Sequence, residues 1–203
     1  MKKTLNKTKN KLRVIIVDGI DKSGKSTFID LLSKEYRGIL MKITDRPLDS
    51  SEKERNKIKN YYSLILGIIM QNPHELFILD RFIWSEMAYS FKRGYEAIND
   101  PWLLETEKIL SILPHLMIHL SPLEEIIRYR LEQEEDEHIN QDDVSDLFKR
   151  YQTIFDRSPL NKIQVDSSQD GEKMLKIIKN KLNKNEHSGY IKRQLKQLQF
   201  DFR

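Results

Sequence analysis

The sequence predicts one α/β domain, a five-stranded, mainly parallel sheet with helices on both faces. Two observations predict it. Short apolar, β-branched runs alternate along the chain with longer segments of helical periodicity. The first of those runs, Val14 to Asp18, passes straight into a turn bounded by Gly19 and Gly24 and then into a helical pattern. Parallel strands buried on both faces read as continuous apolar runs, and the helices between them supply the crossovers.

Taken in order, Val14 to Asp18 is the first strand, and Ser26 to Tyr36 is a helix with Phe28, Ile29, Leu31 and Leu32 at helical spacing. Ile39 to Ile43 is a second strand. Ser51 to Gln71 is a long helix, opened by Ser51 with Glu54 three residues on, a capping-box pattern. Leu76 to Leu79 forms a third strand ending at Asp80 and Arg81, and a helix from Phe82 to Arg93 is closed by Gly94. Pro101 opens a helix that ends before Pro114, His115 to Leu120 is the fourth strand, and Pro122 sits where the next helix begins. Asp142 to Phe155 is helical, Lys162 to Asp166 is the fifth strand, and Gly171 to Leu182 is a last core helix. Residues 1–11 form a basic tail, 12–184 the domain, and 185–203 a polar extension.

Composition narrows the possible functions. The 203 residues contain no cysteine, which excludes disulfides and cysteine-ligated zinc and suits a reducing cytoplasm. The apolar stretch Leu64 to Met70 is far short of a membrane span, and no targeting segment is expected. The net charge of +4 comes from Lys and Arg at the two ends, while Glu132 to Asp143 is acidic. Basic ends of this kind read as solvated tails, so a nucleic-acid partner is not expected. The five histidines show no metal-ligand spacing, and Trp84 and Trp102 read as packing residues.

Gly19-Ile20-Asp21-Lys22-Ser23-Gly24-Lys25-Ser26-Thr27 matches G-x-x-x-x-G-K-S, followed by Thr, between a strand and a helix. The glycines let backbone N–H groups converge on phosphate oxygens, and the helix start adds its positive dipole end. Lys25 would place a charge on the β and γ phosphates, and the Ser26 hydroxyl would ligate magnesium. The pattern points to a P-loop nucleotide-binding fold that takes ATP with Mg2+. Asp80, at a strand end, would hold the magnesium hydration shell or orient an attacking oxygen.

Asp18-Gly-Ile-Asp-Lys-Ser-Gly-Lys-Ser-Thr27, then Asp80-Arg-Phe-Ile-Trp-Ser-Glu-Met-Ala-Tyr-Ser90, then Val165-Asp166-Ser167 resemble the thymidylate kinase family in order and near spacing. That resemblance implies transfer of the ATP γ-phosphoryl group to a deoxynucleoside 5′-monophosphate, with dTMP as the acceptor. It implies that Asp21 contacts the sugar 3′-hydroxyl and that Arg81 bridges donor and acceptor phosphates. It implies that Arg46 grips the monophosphate, that Ser85 and Tyr89 line the nucleoside pocket, and that Arg130 and Asp166 lie at the ATP site. A helical lid is expected at about 132–141. Because that segment lacks Lys and Arg, Lys22 becomes the candidate catalytic cation, the alternative being a solvated loop lysine. Tyr61 or Tyr62 would stack on a base or pack in the core, but the arginine that the family places one turn later is missing. A homodimer is a further implication, with Leu64 to Met70 as its candidate face.

Two other functions compete. A deoxynucleoside kinase would phosphorylate the 5′-hydroxyl with a base at the third strand's end and no second phosphate clamp. A nucleotide-dependent nucleic-acid-binding module would account for the basic ends but not for Arg81 with Ser85 and Tyr89.

Overall fold

The computed structural model describes residues 12–43 and 49–187, with side chains described as far as Asn183. The basic tail of 1–11, Arg46 and residues 188–203 lie outside the described residues.

Five parallel strands form the sheet: β1 (Val14–Asp18), β2 (Ile39–Lys42), β3 (Phe77–Asp80), β4 (His115–Leu120) and β5 (Lys162–Val165). Their order is β2-β3-β1-β4-β5, so β1 is central and the chain reverses direction across it. That reversal leaves a crevice beyond the carboxyl ends of β1, β3 and β4, where open α/β sheets bind ligands. Every residue of β1, β3 and β4 is buried, which is why these strands read as largely apolar runs without a polar alternate face. The edge strands β2 and β5 are largely exposed or half-buried.

The helices are α1 (Lys25–Glu35), α2 (Glu52–Gln71), α3 (Ile83–Tyr89), α4 (Pro101–Ile112), α5 (Glu124–Gln133), α6 (Asp143–Arg157) and α7 (Gly171–His187). The sheet separates two cores. One packs Val14, Ile16, Phe77 and Leu79 against α2, α3, α4 and α6. The other packs Ile15, Val17, Ile78 and Ile118 against α1 and α7. Burial of apolar area at roughly 25 cal/mol per Å² makes these two layers the main stabilising element.

Local signals set the helix ends. Ser51 accepts the Glu54 amide at 3.4 Å, as its capping pattern predicts, and Asp100 accepts from Trp102 and Leu103 before Pro101. The helix expected from Phe82 to Arg93 divides into α3 and a 3-10 turn, Ser90–Arg93, stopped by left-handed Gly94. The Ser90 hydroxyl promotes the break by binding the Met87 carbonyl and accepting the Ala97 amide. The segment expected as a lid is flanked by α5 and α6, but residues 134–140 carry no helix. Asp136 draws the amides of His138 and Ile139 onto its own carboxylate, which competes with helix continuation. The last helix continues to His187, into the stretch expected as an extension.

Candidate functional site

The site grows from the end of β1. Gly19 has φ 151°, and a Cβ there would sit 2.4 Å from the Leu120 carbonyl oxygen, so only glycine fits between β1 and β4. Gly24, at φ 86°, caps α1 and turns the loop into the helix. Ser23 is buried, and its carbonyl accepts the Ser167 hydroxyl at 2.6 Å, which fastens the loop after β5 to the turn. Ser26 and Thr27 are exposed at the first turn of α1, where free amides and the helix dipole favour an anion.

Lys25 is buried and donates to the carbonyls of Gly19 (2.9 Å) and Ile20 (2.6 Å). Burial, aided by the nearby Arg81 charge, pulls its pKa down to about 7. Asp80, at the end of β3, is buried as well, and burial raises its carboxyl above the usual range.

Arg81 follows Asp80 with φ 68°, and Lys22 in the turn has φ 63°. Among the described residues these two alone, apart from glycine, have positive φ. Left-handed backbone is costly for such side chains and clusters at functional sites. At Arg81 it swings the guanidinium back over β1, where it pairs with Asp21 and donates to Ser85 Oγ at 2.9 Å. The guanidinium carbon lies 5.6 Å from the centre of the Tyr89 ring, and the Tyr89 hydroxyl accepts the Asp21 amide at 2.8 Å.

Asp18, fully buried, holds this arrangement together. Its carboxylate accepts the Gly19 amide, the Ser85 amide and hydroxyl, and the Tyr151 hydroxyl from α6. Sequence reasoning quoted Asp18 inside a motif but gave it no role. The signal was its position as an acid buried at the end of an all-apolar strand.

Ile43, Tyr62, Arg81, Ser85, Glu86, Tyr89 and Arg93 enclose a cleft beside the turn. Tyr62 is stacked 6.0 Å from Trp102 and lines the cleft, whereas Tyr61 is partly buried against the surrounding core and does not line it. Glu86 and Arg93 were also missed by sequence reasoning; they form an ion pair of 2.8 Å with little exposure.

Arg130 reaches across from α5 and donates to the Lys22 carbonyl. Arg128, two residues earlier on α5, is committed to Glu124 and Gln141. The Lys22 ammonium pairs with Glu134 at 2.7 Å, so the acidic segment touches the turn directly. Asp166 accepts from the amide and hydroxyl of Ser168, which holds its carboxyl below the usual range. Trp84 is buried with its Nε1 donating to Glu107 at 2.7 Å.

No protein-family model matches the chain, and no curated protein does. Solved structures do match. The YorR protein of Bacillus subtilis in complex with phosphorylated GDP has a TM-score of 0.68 at 21% identity, over 86% of this chain and 98% of that one. Thymidylate kinase from Candida albicans has a TM-score of 0.57 at 23% identity, over 87% and 94%. Deoxyadenosine kinase from M. mycoides with the products dCMP and a flexible dCDP has a TM-score of 0.57 at 17% identity, over 84% and 99%. The fold of this chain is therefore that of the P-loop nucleotide kinases.

Proposed function

We propose that this chain is a nucleotide kinase that transfers the γ-phosphoryl group of ATP to the 5′-phosphate of a deoxynucleoside monophosphate, in the cytoplasm. One observation carries the reading: Asp21, within the phosphate-binding turn, pairs with Arg81, which lines the adjoining cleft. A donor cradle and an acceptor cleft thereby share one pair of side chains. dTMP is the acceptor that the sequence resemblance implies, and it is the reference acceptor for the test.

In this reading the amides of the Gly19 to Thr27 turn hold the β and γ phosphates, and the Lys25 ammonium leaves its carbonyl partners for phosphate oxygens. Arg46 and Arg81 grip the acceptor phosphate, and Asp21 takes the sugar 3′-hydroxyl. The Tyr89 ring, held by its bond to the Asp21 amide, stands where a ribose 2′-hydroxyl would be crowded. An acceptor oxygen attacks the γ-phosphorus, its bond to the β–γ bridging oxygen breaks, and ADP leaves. Lys25, Arg81 and Lys22 balance the charge that moves during this step. Arg130 steadies the turn through the Lys22 carbonyl, and Asp166 belongs to the same ATP site.

The Ser26 hydroxyl and the Asp80 carboxylate are oxygen donors suited to magnesium, which favours few protein ligands together with phosphates. When bound with ATP, Mg2+ supplies charge neutralisation on the phosphate oxygens. A homodimer formed through the exposed Leu64 and Met70 of α2 belongs to the same proposal.

The test is an ADP-release assay with ATP, Mg2+ and a panel of deoxynucleoside monophosphates and deoxynucleosides. Acceleration by monophosphates is the expected result. Acceleration by nucleosides alone would instead favour a deoxynucleoside kinase. In that second reading the Asp80 carboxylate, at the end of β3 beside Arg81, would take the 5′-hydroxyl proton.

A further inference from the structure

The two edges of the sheet are finished differently. β5 closes one edge and carries Lys162 and Gln164. β2 closes the other with Ile39, Leu40 and Met41 in succession, and Ile39 and Leu40 are 44% and 49% exposed. Among the described residues β2 pairs with β3 alone. The Ile39 and Ile43 amides donate to the Leu76 and Asp80 carbonyls on the β3 side. Backbone groups alternate in direction along a strand, so the amides and carbonyls of Leu40 and Lys42 point away from β3. An exposed apolar edge with free backbone groups invites pairing, and proteins ordinarily cover or charge it.

The chain carries a segment of matching character. Leu198, Phe200 and Phe202 alternate with Gln197, Gln199, Asp201 and Arg203. Period-two alternation suits a strand with one covered face and one solvated face. α7, which precedes this segment, runs beside α1: Lys179 pairs with Glu35 at 2.8 Å, and Glu35 ends α1 just before β2. From Lys179 to His187 the helix extends about 12 Å. Residues 188–197 reach roughly 33 Å when extended, which spans the return to the start of β2.

Connection handedness selects the same edge. Helices α2 to α6 carry the chain from β2 toward β5 across one face of the sheet, and α1 carries it from β1 to β2 across the other. α7 lies on the α1 face. A parallel strand placed beyond β2 after α7 therefore repeats the hand of β1-α1-β2, and parallel crossovers in one sheet share a hand. A strand added beyond β5 would need the opposite hand.

We propose that residues 198–202 pair in parallel with β2 as a sixth strand, so that the chain covers its own sheet edge. The backbone groups of Leu40 and Lys42 gain partners, and Leu198, Phe200 and Phe202 extend the apolar surface of the sheet. The added strand braces β2, which leads to Arg46, and it stands independently of the kinase reading.

Residue-resolved amide hydrogen exchange on the full chain tests it. The Leu40 and Lys42 amides are expected to exchange at least about tenfold more slowly than in an unstructured chain. Phe200→Asp is expected to restore fast exchange at those two positions, while the central Ile16 and Leu79 amides stay protected and report that the variant is folded. Unprotected Leu40 and Lys42 amides in the wild-type protein would overturn the proposal, and would mean that the segment packs elsewhere or as a helix. Protection that survives Phe200→Asp overturns it as well. Because the chain has no cysteine, Leu40→Cys combined with Phe200→Cys offers one thiol pair to a short bis-maleimide. Bridging within one chain is expected. Bridging between chains, or none at all, assigns the β2 edge to a second copy or another partner and overturns the proposal.

Discussion

The Ser85 hydroxyl donates to Asp18 across 2.6 Å, joining the carboxyl end of β1 to the first turn of α3. The same oxygen accepts from Arg81 at 2.9 Å, so the orientation of the guanidinium depends on a carboxylate that it does not touch through any described bond. Ser85→Ala removes both links while leaving the Arg81–Asp21 pair in place. Stability should fall by about 1–2 kcal/mol for the lost buried bonds. Turnover should fall roughly tenfold or more through misplacement of Arg81. Chemical unfolding and steady-state kinetics would check the two effects separately.

Lys25 has its pKa lowered to about 7 by burial, so near pH 8 most of the nucleotide-free protein carries a neutral amine there. In the proposed reading a triphosphate restores the charge. Nucleotide binding at pH 8 should therefore take up a proton and weaken as pH rises above 7. Calorimetry in buffers of different ionisation enthalpy measures that uptake, which Lys25→Met should abolish. In the unliganded protein the lowered pKa is a stability penalty, complete below pH 7 and relieved as pH rises toward 10.5. Turnover in Lys25→Ala should fall by roughly 10²–10³.

Lys22 is held by Glu134, whose side chain is 80% exposed. Exposed pairs contribute little to stability, so Glu134→Gln should leave the melting temperature almost unchanged. If Lys22 supplies the catalytic cation, Lys22→Ala should lower kcat strongly while Glu134→Gln leaves it equal or higher. Parallel losses in the two variants would show that the pair matters only as a strap between turn and loop.

His119 stacks 5.1 Å from Tyr151 behind the Asp18 cluster, and burial lowers its pKa to about 4. The unfolded chain takes a proton there near pH 6.5 and the folded chain does not. Its contribution is therefore present above pH 6.5 and lost as pH falls toward 4, on the order of 3 kcal/mol in all. Melting temperatures measured across that window should decline in wild-type protein and decline less in His119→Phe.

The central strands were legible because burial on both faces leaves a short apolar run in each: Val14–Val17, Phe77–Leu79 and Leu116–Ile118. The turn was legible because its glycines are dictated by backbone geometry that sequence records directly. The Glu86–Arg93 pair was not. Those residues lie on either side of a break at Ser90, where the expected long helix gives way to a 3-10 turn as the Ser90 hydroxyl bonds to Met87 and Ala97, and residue type alone does not mark them as partners. The shape of residues 134–140 was hidden for a similar reason, since Asp136 acts through its own backbone neighbours rather than through periodicity. Arg46 lies outside the described residues.

Lys22 and Arg81 hold a backbone conformation that L-residues with side chains adopt at a cost of about 1 kcal/mol or more each. A chain selected for stability alone would place glycine at 22, and Lys22→Gly should unfold at higher denaturant while turning over more slowly. Retaining a long cation at that position is a standing tension between robustness and reactivity, located in a single dihedral angle.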